Sequence, residues 1–235
     1  MNWTELNPNI KHKEFNSTKE KERRILVIGD LHCPFDLEGY FDFCVEQYKK
    51  HDCNQVIFIG DLLDNHYSSF HPTDPNGLGG GDELEFAIQR LQRWNKEFPV
   101  ADVIIGNHDR LIARRSFDSD IPKQWIKSYN EVLGTNWNWI ERVVYDGVQY
   151  VHGEGGNART KAKNDLQSTV QGHIHTQCFS EWFCGANFKV LAMQVGCGVN
   201  NKSYAAAYAK HFKKQAIACG VVIGGKTAIN CMMDL

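Results

Sequence analysis

Short apolar runs alternate with helical stripes over the first half of the chain. Runs at 24–29, 55–60 and 101–106 are apolar at the centre and end in Gly, which predicts three buried strands. Over 37–50 and again over 84–98, apolar residues recur at the spacing of one helix face, so an amphipathic helix is predicted in each interval between these strands. Strands that alternate with helices predict βαβ units and a largely parallel sheet.

The second half of the chain predicts short strands. Asp146-Gly147 is a strong signal for a two-residue hairpin, and Gly224-Gly225 marks a final hairpin. The pattern predicts one α/β domain over 1–235, parallel early and antiparallel late, with two sheets face to face and helices outside. The predicted strands of this half lie at 143–145, 148–151, 168–171, 178–183, 188–195, 216–223 and 227–232.

Two segments have no clear periodicity. Residues 110–140 are interpreted as helical and irregular, with Trp125, Trp137 and Trp139 available for packing. Residues 65–82 are rich in Gly and Pro, and long segments of this kind often form lids or binding loops. Both a lid over a site and a plain surface loop fit this second segment.

Composition narrows the class of protein. A chain of 235 residues fits one large domain, and its formal net charge of −2 gives no overall basic field for binding duplex nucleic acid. Its eight cysteines form no C-x-x-C pair, which favours reduced, mostly buried thiols. Residues 1–23 form a polar N-terminal extension without the apolar core of a secretory signal, and no apolar run is long enough for a membrane span. A cytoplasmic protein without a membrane partner is expected.

Five short segments place carboxylates, imidazoles and an amide directly after apolar runs. Each segment alone is readily interpreted as a turn, and a lone histidine is more often a core or surface side chain than a ligand. The five occur together, however, and ligands of α/β sheets bind at the carboxyl ends of the strands, so the set predicts one functional site. The segments are Gly29-Asp30-Leu31-His32, Gly60-Asp61-Leu62-Leu63-Asp64, Gly106-Asn107-His108-Asp109, Val151-His152-Gly153 and Gly172-His173-Ile174-His175.

The residue types in these segments indicate a metal centre. Asp, Asn and His side chains form a mixed oxygen and nitrogen set without a thiolate, which suits Mn²⁺, Fe or Zn²⁺ better than Mg²⁺ or Ca²⁺. Residues two apart on an extended segment share a face, so Asp30 and His32 can converge on one ion, as can His173 and His175. A Gly before the ligands allows the backbone to turn sharply.

The five motifs resemble those of the calcineurin-like metallophosphoesterase superfamily, which run D-x-H, G-D-x-x-D, G-N-H-D/E, H and G-H-x-H. The resemblance covers Ile25 to His175, and all five motifs are present. It implies an α/β fold, a four-layer αββα sandwich with two mixed sheets and a metal site at the carboxyl ends of the strands. It also implies two divalent ions, with Mn²⁺ expected first, and hydrolysis of a phosphate ester by a hydroxide that bridges them.

Position by position, the resemblance implies two ion sites that share one carboxylate. His108 would be the general acid at the leaving group, oriented by Asp109, and Asp64 would hold ligands in place. One ion would be bound by Asp30, His32, Asp61 and His175, and the other by Asp61, Asn107, His152 and His173.

The motifs depart from those of the protein Ser/Thr phosphatases in the superfamily. Those enzymes have an Arg after the second motif and another after the third, whereas here Asn65-His66 follows Asp64 and Arg110 follows Asp109. The pattern looks closer to bacterial and phage phosphodiesterases, including repair nucleases. A phosphodiester, such as a nucleic acid or a nucleotide, is therefore the expected substrate, with Arg110 and His66 as candidate contacts. The alternatives are a phosphomonoesterase for nucleotides or phosphoproteins and a non-catalytic metal-binding scaffold of the same fold.

Overall fold

Two β-sheets lie face to face at the centre of the molecule. The computed structural model describes residues 22–70, 74–200 and 214–234. The strands are β1 (Arg24–Ile28), β2 (Gln55–Phe58), β3 (Asp102–Ile104), β4 (Asn138–Ile140), β5 (Arg142–Tyr145), β6 (Val148–Val151), β7 (Ser168–Gln171), β8 (Phe179–Cys184), β9 (Lys189–Gln194), β10 (Ala218–Ile223) and β11 (Thr227–Met232). One sheet has the order β11-β10-β1-β2-β3-β4 and the other β5-β6-β7-β9-β8, and each contains parallel and antiparallel pairs.

Helices cover the outer face of each sheet. They are α1 (Tyr40–Lys50), α2 (Gly80–Glu97), α3 (Leu111–Asp118), α4 (Tyr129–Leu133) and α5 (Ala158–Asp165), with 3₁₀ turns at His66–Ser68 and Lys123–Trp125. Trp94 of α2 packs against Phe58 of the first sheet and against Tyr40 of α1. Ala158 and Ala162 of α5 pack against β9 of the second sheet. The layers are therefore helix, sheet, sheet and helix, and the predicted four-layer sandwich is confirmed.

The first strand shows why the core has two compartments. Ile25 and Val27 of β1 pack between the sheets, whereas Leu26 and Ile28 pack under the helices. Successive side chains of a strand point to opposite faces, so an unbroken apolar run can be buried on both. All four side chains are at most 1% exposed, and burial of each stabilises the fold by about 1.5–3 kcal/mol.

The second sheet differs from the antiparallel arrangement that the pattern predicts. β6 and β7 run parallel, as do β7 and β9, so the prediction of an antiparallel second half is wrong at the centre of this sheet. The reason is α5, which forms the crossover from β6 to β7 that a parallel pair needs. The two predicted hairpins, at Asp146-Gly147 and Gly224-Gly225, are confirmed.

Glycines and polar turns shift the helix starts from their predicted positions. α1 begins at Tyr40 instead of residue 37, because Gly39 before it has a left-handed backbone with φ of 84°. α2 begins at Gly80, ahead of the predicted residue 84, and this shortens the loop predicted over 65–82.

The segment 110–140 is helical and irregular, as predicted, but its tryptophans differ in burial. Trp137 is 2% exposed and donates its indole N–H to the carbonyl oxygen of Phe98, and Trp139 stacks on Tyr129. Trp125 is 82% exposed, so unlike Trp137 and Trp139 it is not used for packing in the way that the sequence suggested. Its 3₁₀ turn contacts α3 at the surface.

The predicted polar extension, 1–23, lies outside the described residues except for Glu22 and Arg23. Their carbonyl oxygens accept hydrogen bonds from the Asn54 side chain and the Gly224 N–H, so these two residues precede β1 between the ends of β2 and β10 in the first sheet. Among the residues that the structure describes, no helix has both the length and the apolar composition needed to cross a bilayer.

Candidate metal centre

The ends of five strands meet at one edge of the two sheets and carry the predicted ligands. Three of these ligands, His32, Asp61 and His173, have left-handed backbones with φ of 50°, 46° and 69°. Non-glycine residues adopt this conformation rarely, at a cost of about 1–3 kcal/mol, and such positions cluster at functional sites. β1, β2 and β3 lead into Asp30, His32, Asp61 and Asn107, and β6 and β7 lead into His152, His173 and His175.

One group of possible metal ligands consists of Asp30, His32 and His175. Their ligand atoms lie within 4.8 Å of one another. Asp30 Oδ2 is 3.1 Å from His175 Nε2, and the rings of His32 and His175 are 5.0 Å apart between centroids. Asp30 is completely buried and His32 nearly so, whereas His175 is partly exposed, so the group opens to solvent on one side.

A second group consists of Asp61, His152 and His173, with Asn107 beside it. Asp61 Oδ2 lies 3.1 Å from His152 Nε2, and the same nitrogen lies 3.0 Å from Asn107 Oδ1. The rings of His152 and His173 are 5.0 Å apart between centroids. The four side chains that the sequence assigns to the second ion are therefore neighbours.

Asp61 lies between the two groups. Its Oδ2 atom is 3.1 Å from His152 Nε2 in one group and 3.5 Å from His32 Nε2 in the other. Its Oδ1 atom accepts a hydrogen bond of 2.8 Å from the His108 N–H, which fixes the carboxylate. This is the position that a carboxylate shared by two cations requires.

Two buried histidines donate Nδ1–H away from the centre and present Nε2 to it. His152 Nδ1 is 3.1 Å from the Ile59 carbonyl oxygen, and His32 Nδ1 is 2.6 Å from Asp64 Oδ1. Both oxygens are acceptors, so Nδ1 carries the proton and Nε2 is left for a metal. Among the described residues, the buried atoms His32 Nε2 and Asp30 Oδ1 have no hydrogen-bond partner. A divalent cation at the group of Asp30, His32 and His175 would satisfy both atoms. The second group offers a further set of possible ligands beside the shared Asp61, so these residues fit a dinuclear metal centre.

The charges in the centre shift the pKa values of its members. Burial alone would lower the pKa of His152, but the carboxylates of Asp61 and Asp30 outweigh burial and raise it to about 10. Burial would raise the pKa of Asp61, but His152 and His32 hold it well below its ordinary value. Burial, assisted by His108, lowers the pKa of His32, which favours the neutral ring that a metal binds. A metal at the second group must displace a proton from His152, so its affinity rises with pH.

His108 lies next to the first group and is held by Asp64. Its Nδ1 atom is 2.6 Å from the Asp64 carbonyl oxygen, which can only accept, so Nδ1 carries a proton and Nε2 is free to point elsewhere. The rings of His108 and His32 are 4.5 Å apart between centroids, and Asp64 Oδ1 pairs with the latter. Asp64 thus fixes one predicted ligand and the predicted acid, and its assigned role of holding the ligands in place agrees with this geometry.

Asp109 does not orient His108, contrary to the prediction. Its fully buried carboxylate accepts hydrogen bonds from the backbone N–H groups of Leu63 at 3.0 Å and Gly106 at 2.9 Å. These bonds tie the turn after β2 to the turn after β3, so Asp109 shapes the backbone that carries the ligands. Burial and the nearby Asp61 raise the pKa of Asp109 to about 6.

A sequence model of calcineurin-like phosphoesterases matches residues 23–183. The chain belongs to this family. Similar solved structures include Vps29 of Cryptosporidium parvum, at 14% identity and a TM-score of 0.44 over 91% of this chain and 98% of that one. The E. coli phosphoesterase YfcE has 11% identity and a TM-score of 0.42 over 88% and 98%, and Pseudomonas putida nuclease MPE has 15% and 0.36 over 89% and 87%. No curated protein matches the sequence.

Both residues predicted to contact substrate in this calcineurin-like phosphoesterase, Arg110 and His66, already lie close to carboxylates of the protein. Arg110 pairs with Glu154 at 2.5 Å and with Glu141 at 3.0 Å, so a phosphate would have to compete with two carboxylates for its guanidinium. His66 is 6% exposed and its Nδ1 atom lies 3.8 Å from Asp64 Oδ2. Substrate binding by either residue stays a prediction.

Two residues that support the candidate site were not predicted from the sequence. The Asn65 side-chain amide donates to the His108 carbonyl oxygen at 3.0 Å, and the buried Glu83 accepts from the His66 N–H at 2.8 Å. The signal for Glu83 is its place four residues before Ala87, on the buried side of α2. The sequence signal for Asn65 is weaker, because it consists only of the residue type. Asn tolerates the left-handed backbone that the structure shows at this position.

Gly60 and Gly106 leave the space that side chains of the candidate metal centre occupy. A Cβ atom at Gly60, whose φ is 108°, would overlap the ring of His152. A Cβ atom at Gly106 would overlap the side chain of Asp61. The glycines before the ligands therefore make room for ligands from neighbouring strands, in addition to allowing sharp turns.

Replacement of Gly60 by Ala is expected to weaken the second ion site and the fold together. The added methyl group displaces His152, and Ala is strained at this φ, so the free energy of unfolding should fall by about 1–3 kcal/mol. Metal content by elemental analysis and unfolding in urea measure the two effects. Gly81→Ala is the matched control, because a Cβ there meets nothing within 4 Å and the residue is helical. Equal metal content in Gly60→Ala and wild type would contradict the close approach.

Proposed function

We propose that this calcineurin-like phosphoesterase hydrolyses phosphodiesters, with a nucleic acid or a nucleotide as substrate, at a centre of two divalent cations. The position of Asp61 between the two ligand groups carries the proposal, because a shared carboxylate suits a pair of cations that act on one phosphate. The mixed oxygen and nitrogen ligands favour Mn²⁺, with Fe or Zn²⁺ as alternatives.

The chain's own residues supply ligands, orientation and a proton. Two bound cations would lower the pKa of water and offset negative charge on phosphate oxygens. His108 is our candidate general acid: its side chain is 18% exposed and its Nδ1–H is held by the Asp64 carbonyl oxygen. Burial would lower the pKa of His108, but Asp61 and Asp64 outweigh burial and raise it, which favours the imidazolium form, whose Nε2–H can protonate a leaving oxygen. Asp64 keeps the rings of His108 and His32 in fixed orientation, as preorganised catalysis requires.

The decisive experiment is a substrate panel with metal-loaded protein. The full chain, stripped of metal and reloaded with Mn²⁺, should hydrolyse a simple diester, and its activity should return with the metal and disappear with chelator. The panel should include a simple monoester, cyclic nucleotides and DNA with free ends. Full metal loading without turnover of any ester would replace the proposal by the non-catalytic scaffold.

Diester hydrolysis is expected to exceed monoester hydrolysis. A monoester dianion needs more fixed positive charge than a diester, and the two positions where phosphoprotein phosphatases place Arg hold Asn65 and an Arg110 already paired with two glutamates. The rates for bis-nitrophenyl and mononitrophenyl phosphate at matched concentration measure this preference. Faster cleavage of the monoester would reverse the assignment of substrate class.

Glu154→Gln provides a matched test of the same argument. Removal of this carboxylate frees one arm of the Arg110 guanidinium without touching a predicted metal ligand. The monoester rate should rise relative to the diester rate if charge at Arg110 limits binding of the dianion. An unchanged ratio would show that Arg110 does not contact the phosphate.

A further inference from the structure

Exposed rings and guanidinium groups form a surface next to the metal centre. Phe117 and Trp125 are each 82% exposed and Phe70 is 42% exposed, which is unusual for side chains of this size. The guanidinium carbons of Arg114 and Arg115 lie 4.5 and 4.0 Å from the centroid of the Phe70 ring. We call these five residues the basic aromatic surface.

Two short segments connect this surface to the candidate acid. α3 carries three of its residues and begins directly after the third motif, where the Leu111 N–H donates to the His108 carbonyl oxygen at 3.1 Å. Arg115 Nε donates to the Ser68 carbonyl oxygen at 2.9 Å, which joins α3 to the segment that follows the second motif. At 1.5 Å per residue, Phe117 lies about 9 Å along the helix axis from Leu111. A few nucleotides of a strand cover this distance.

The charge of the surface differs from that of the chain as a whole. Residues 111–127 contain four Lys or Arg and two Asp, whereas the whole chain has a formal net charge of −2. The Arg114 and Arg115 side chains are exposed and rest on a ring, and the Arg115 guanidinium also donates to the carbonyl oxygens of Ser68 and Ser69. These partners are neutral, so within the described residues neither arginine is paired with a carboxylate. The segments that carry these side chains contact one another. Exposed apolar side chains grouped on neighbouring segments mark interaction sites, and positive charge among them selects an anionic partner.

The combination fits single-stranded nucleic acid better than a duplex. Arginines track a phosphate backbone, and exposed rings stack on the faces of bases. In a duplex, those faces are covered by neighbouring base pairs, so Phe117 and Trp125 would have nothing to stack on except the ends. A duplex would be bound through phosphate contacts alone, and two glutamates already occupy the nearby Arg110.

We propose that the basic aromatic surface binds single-stranded nucleic acid and leads its backbone to the metal centre. This rests on the proposed function, for which it names the substrate class. Phe117 and Trp125 stack on bases, while Arg114 and Arg115 contact phosphates. DNA and RNA share the chemistry that the surface recognises, so the experiment includes a strand of each.

Binding is measured with the full, Mn²⁺-loaded chain by fluorescence anisotropy. The probes are labelled oligothymidylate and oligouridylate of about 12 nucleotides and a duplex of the same length. Titrations are made in the cold, and a denaturing gel verifies that the strands stay intact. Wild type should bind the single strands more tightly than the duplex, and affinity should fall as salt is raised. Phe117→Ala and Trp125→Ala should each weaken single-strand binding roughly 5- to 150-fold.

Trp182→Ala is the matched control. This residue is also an exposed tryptophan, with Lys189 Nζ 4.6 Å from its ring centroid. It lies midway along β8, the edge strand of the second sheet, where it pairs with Leu191, away from the strand ends that carry the candidate ligands. Its loss should leave oligonucleotide binding unchanged. Loss of binding in Trp182→Ala, with normal binding in Trp125→Ala, would move the strand to the other face and overturn the proposal.

Turnover of a small diester separates this proposal from the proposed function. Bis-nitrophenyl phosphate does not reach the basic aromatic surface, so Trp125→Ala should cleave it at the wild-type rate. If wild type cleaves this diester but binds no single strand, or if neither Phe117→Ala nor Trp125→Ala weakens binding, the assignment of the basic aromatic surface is wrong. The proposed phosphodiesterase function is unaffected by that result. If single strands bind and Trp125→Ala weakens that binding, but no ester is cleaved, the surface assignment holds and the proposed enzymatic function is wrong. Self-association that depends on Trp125, seen by light scattering, would identify a protein interface and overturn the nucleic-acid assignment.

Discussion

Replacement of Asp61 by Asn is expected to empty both ion sites and to abolish turnover. Asp61 Oδ2 faces His152 Nε2 at 3.1 Å and His32 Nε2 at 3.5 Å, so one carboxylate serves both ligand groups. Asn preserves the size of the side chain and tolerates the left-handed backbone at this position, where φ is 46°. The variant therefore removes a charge while keeping the shape of the turn.

The size of the effect follows from the role of a shared ligand. Loss of a residue that merely orients a ligand already costs about 10- to 100-fold in metal affinity, so loss of a ligand shared by two cations should cost more than about 100-fold. Elemental analysis after dialysis measures occupancy, and diester hydrolysis measures turnover. Because the proposed mechanism places two cations on one phosphate, turnover should fall below detection even when one ion is retained.

Asp102→Asn is the matched control for Asp61→Asn. Asp102 is also a buried carboxylate, but it lies on β3 and accepts hydrogen bonds from Gln55, Asn138 and Tyr145, away from the ligand groups. Its replacement should lower stability and leave both ions bound. Two ions and a near-normal rate in Asp61→Asn would show that the carboxylate is not shared and that the ligand assignment is wrong.

Sequence patterns predict those parts of the fold that depend on local spacing. The run at 24–29 predicts a strand buried on both faces, and β1 is one, because its alternate side chains enter two separate cores. The arrangement of the second sheet depends on α5, whose buried face consists of the small residues Ala158 and Ala162. So little apolar area leaves no clear stripe along the helix, and the parallel crossover could not be inferred from periodicity.

Some features of the candidate site could be predicted from the sequence, and others could not. The candidate ligands follow from residue type and from position after a strand, and the structure brings Asp30, Asp61, His152 and the other members of the two groups together at one edge. The partner of His108 was not predictable, because Asp109 is adjacent in sequence but turns inward to accept from Leu63 and Gly106. Asp64 approaches from another strand end through its backbone carbonyl group, which every residue possesses, so no residue type could signal it.

Replacement of His108 by Ala is expected to leave both ions bound and to slow hydrolysis of esters with alkoxide leaving groups by about 100- to 10,000-fold, the usual contribution of a general acid. The ring is held by the Asp64 carbonyl oxygen, and its removal leaves the Asp30–His32–His175 and Asp61–His152–His173 groups complete. Fold stability should change little, because the side chain is partly exposed and contributes no core packing.

The dependence on leaving group tests the chemical role of His108. Nitrophenolate leaves readily without a proton, so His108→Ala should lose little activity on nitrophenyl diesters and most of it on esters with alkoxide leaving groups. His51→Ala is the matched control, since His51 lies beside Cys231, outside the ligand groups.

His32, Asp64 and His108 also lie close enough to hold a cation, so the metal content of His108→Ala decides whether His108 is a ligand or a proton donor. If occupancy falls with activity, His108 is a ligand; if both ester classes are cleaved at the wild-type rate, it is not the acid. Retained metal with a loss confined to poor leaving groups would establish proton donation by this residue.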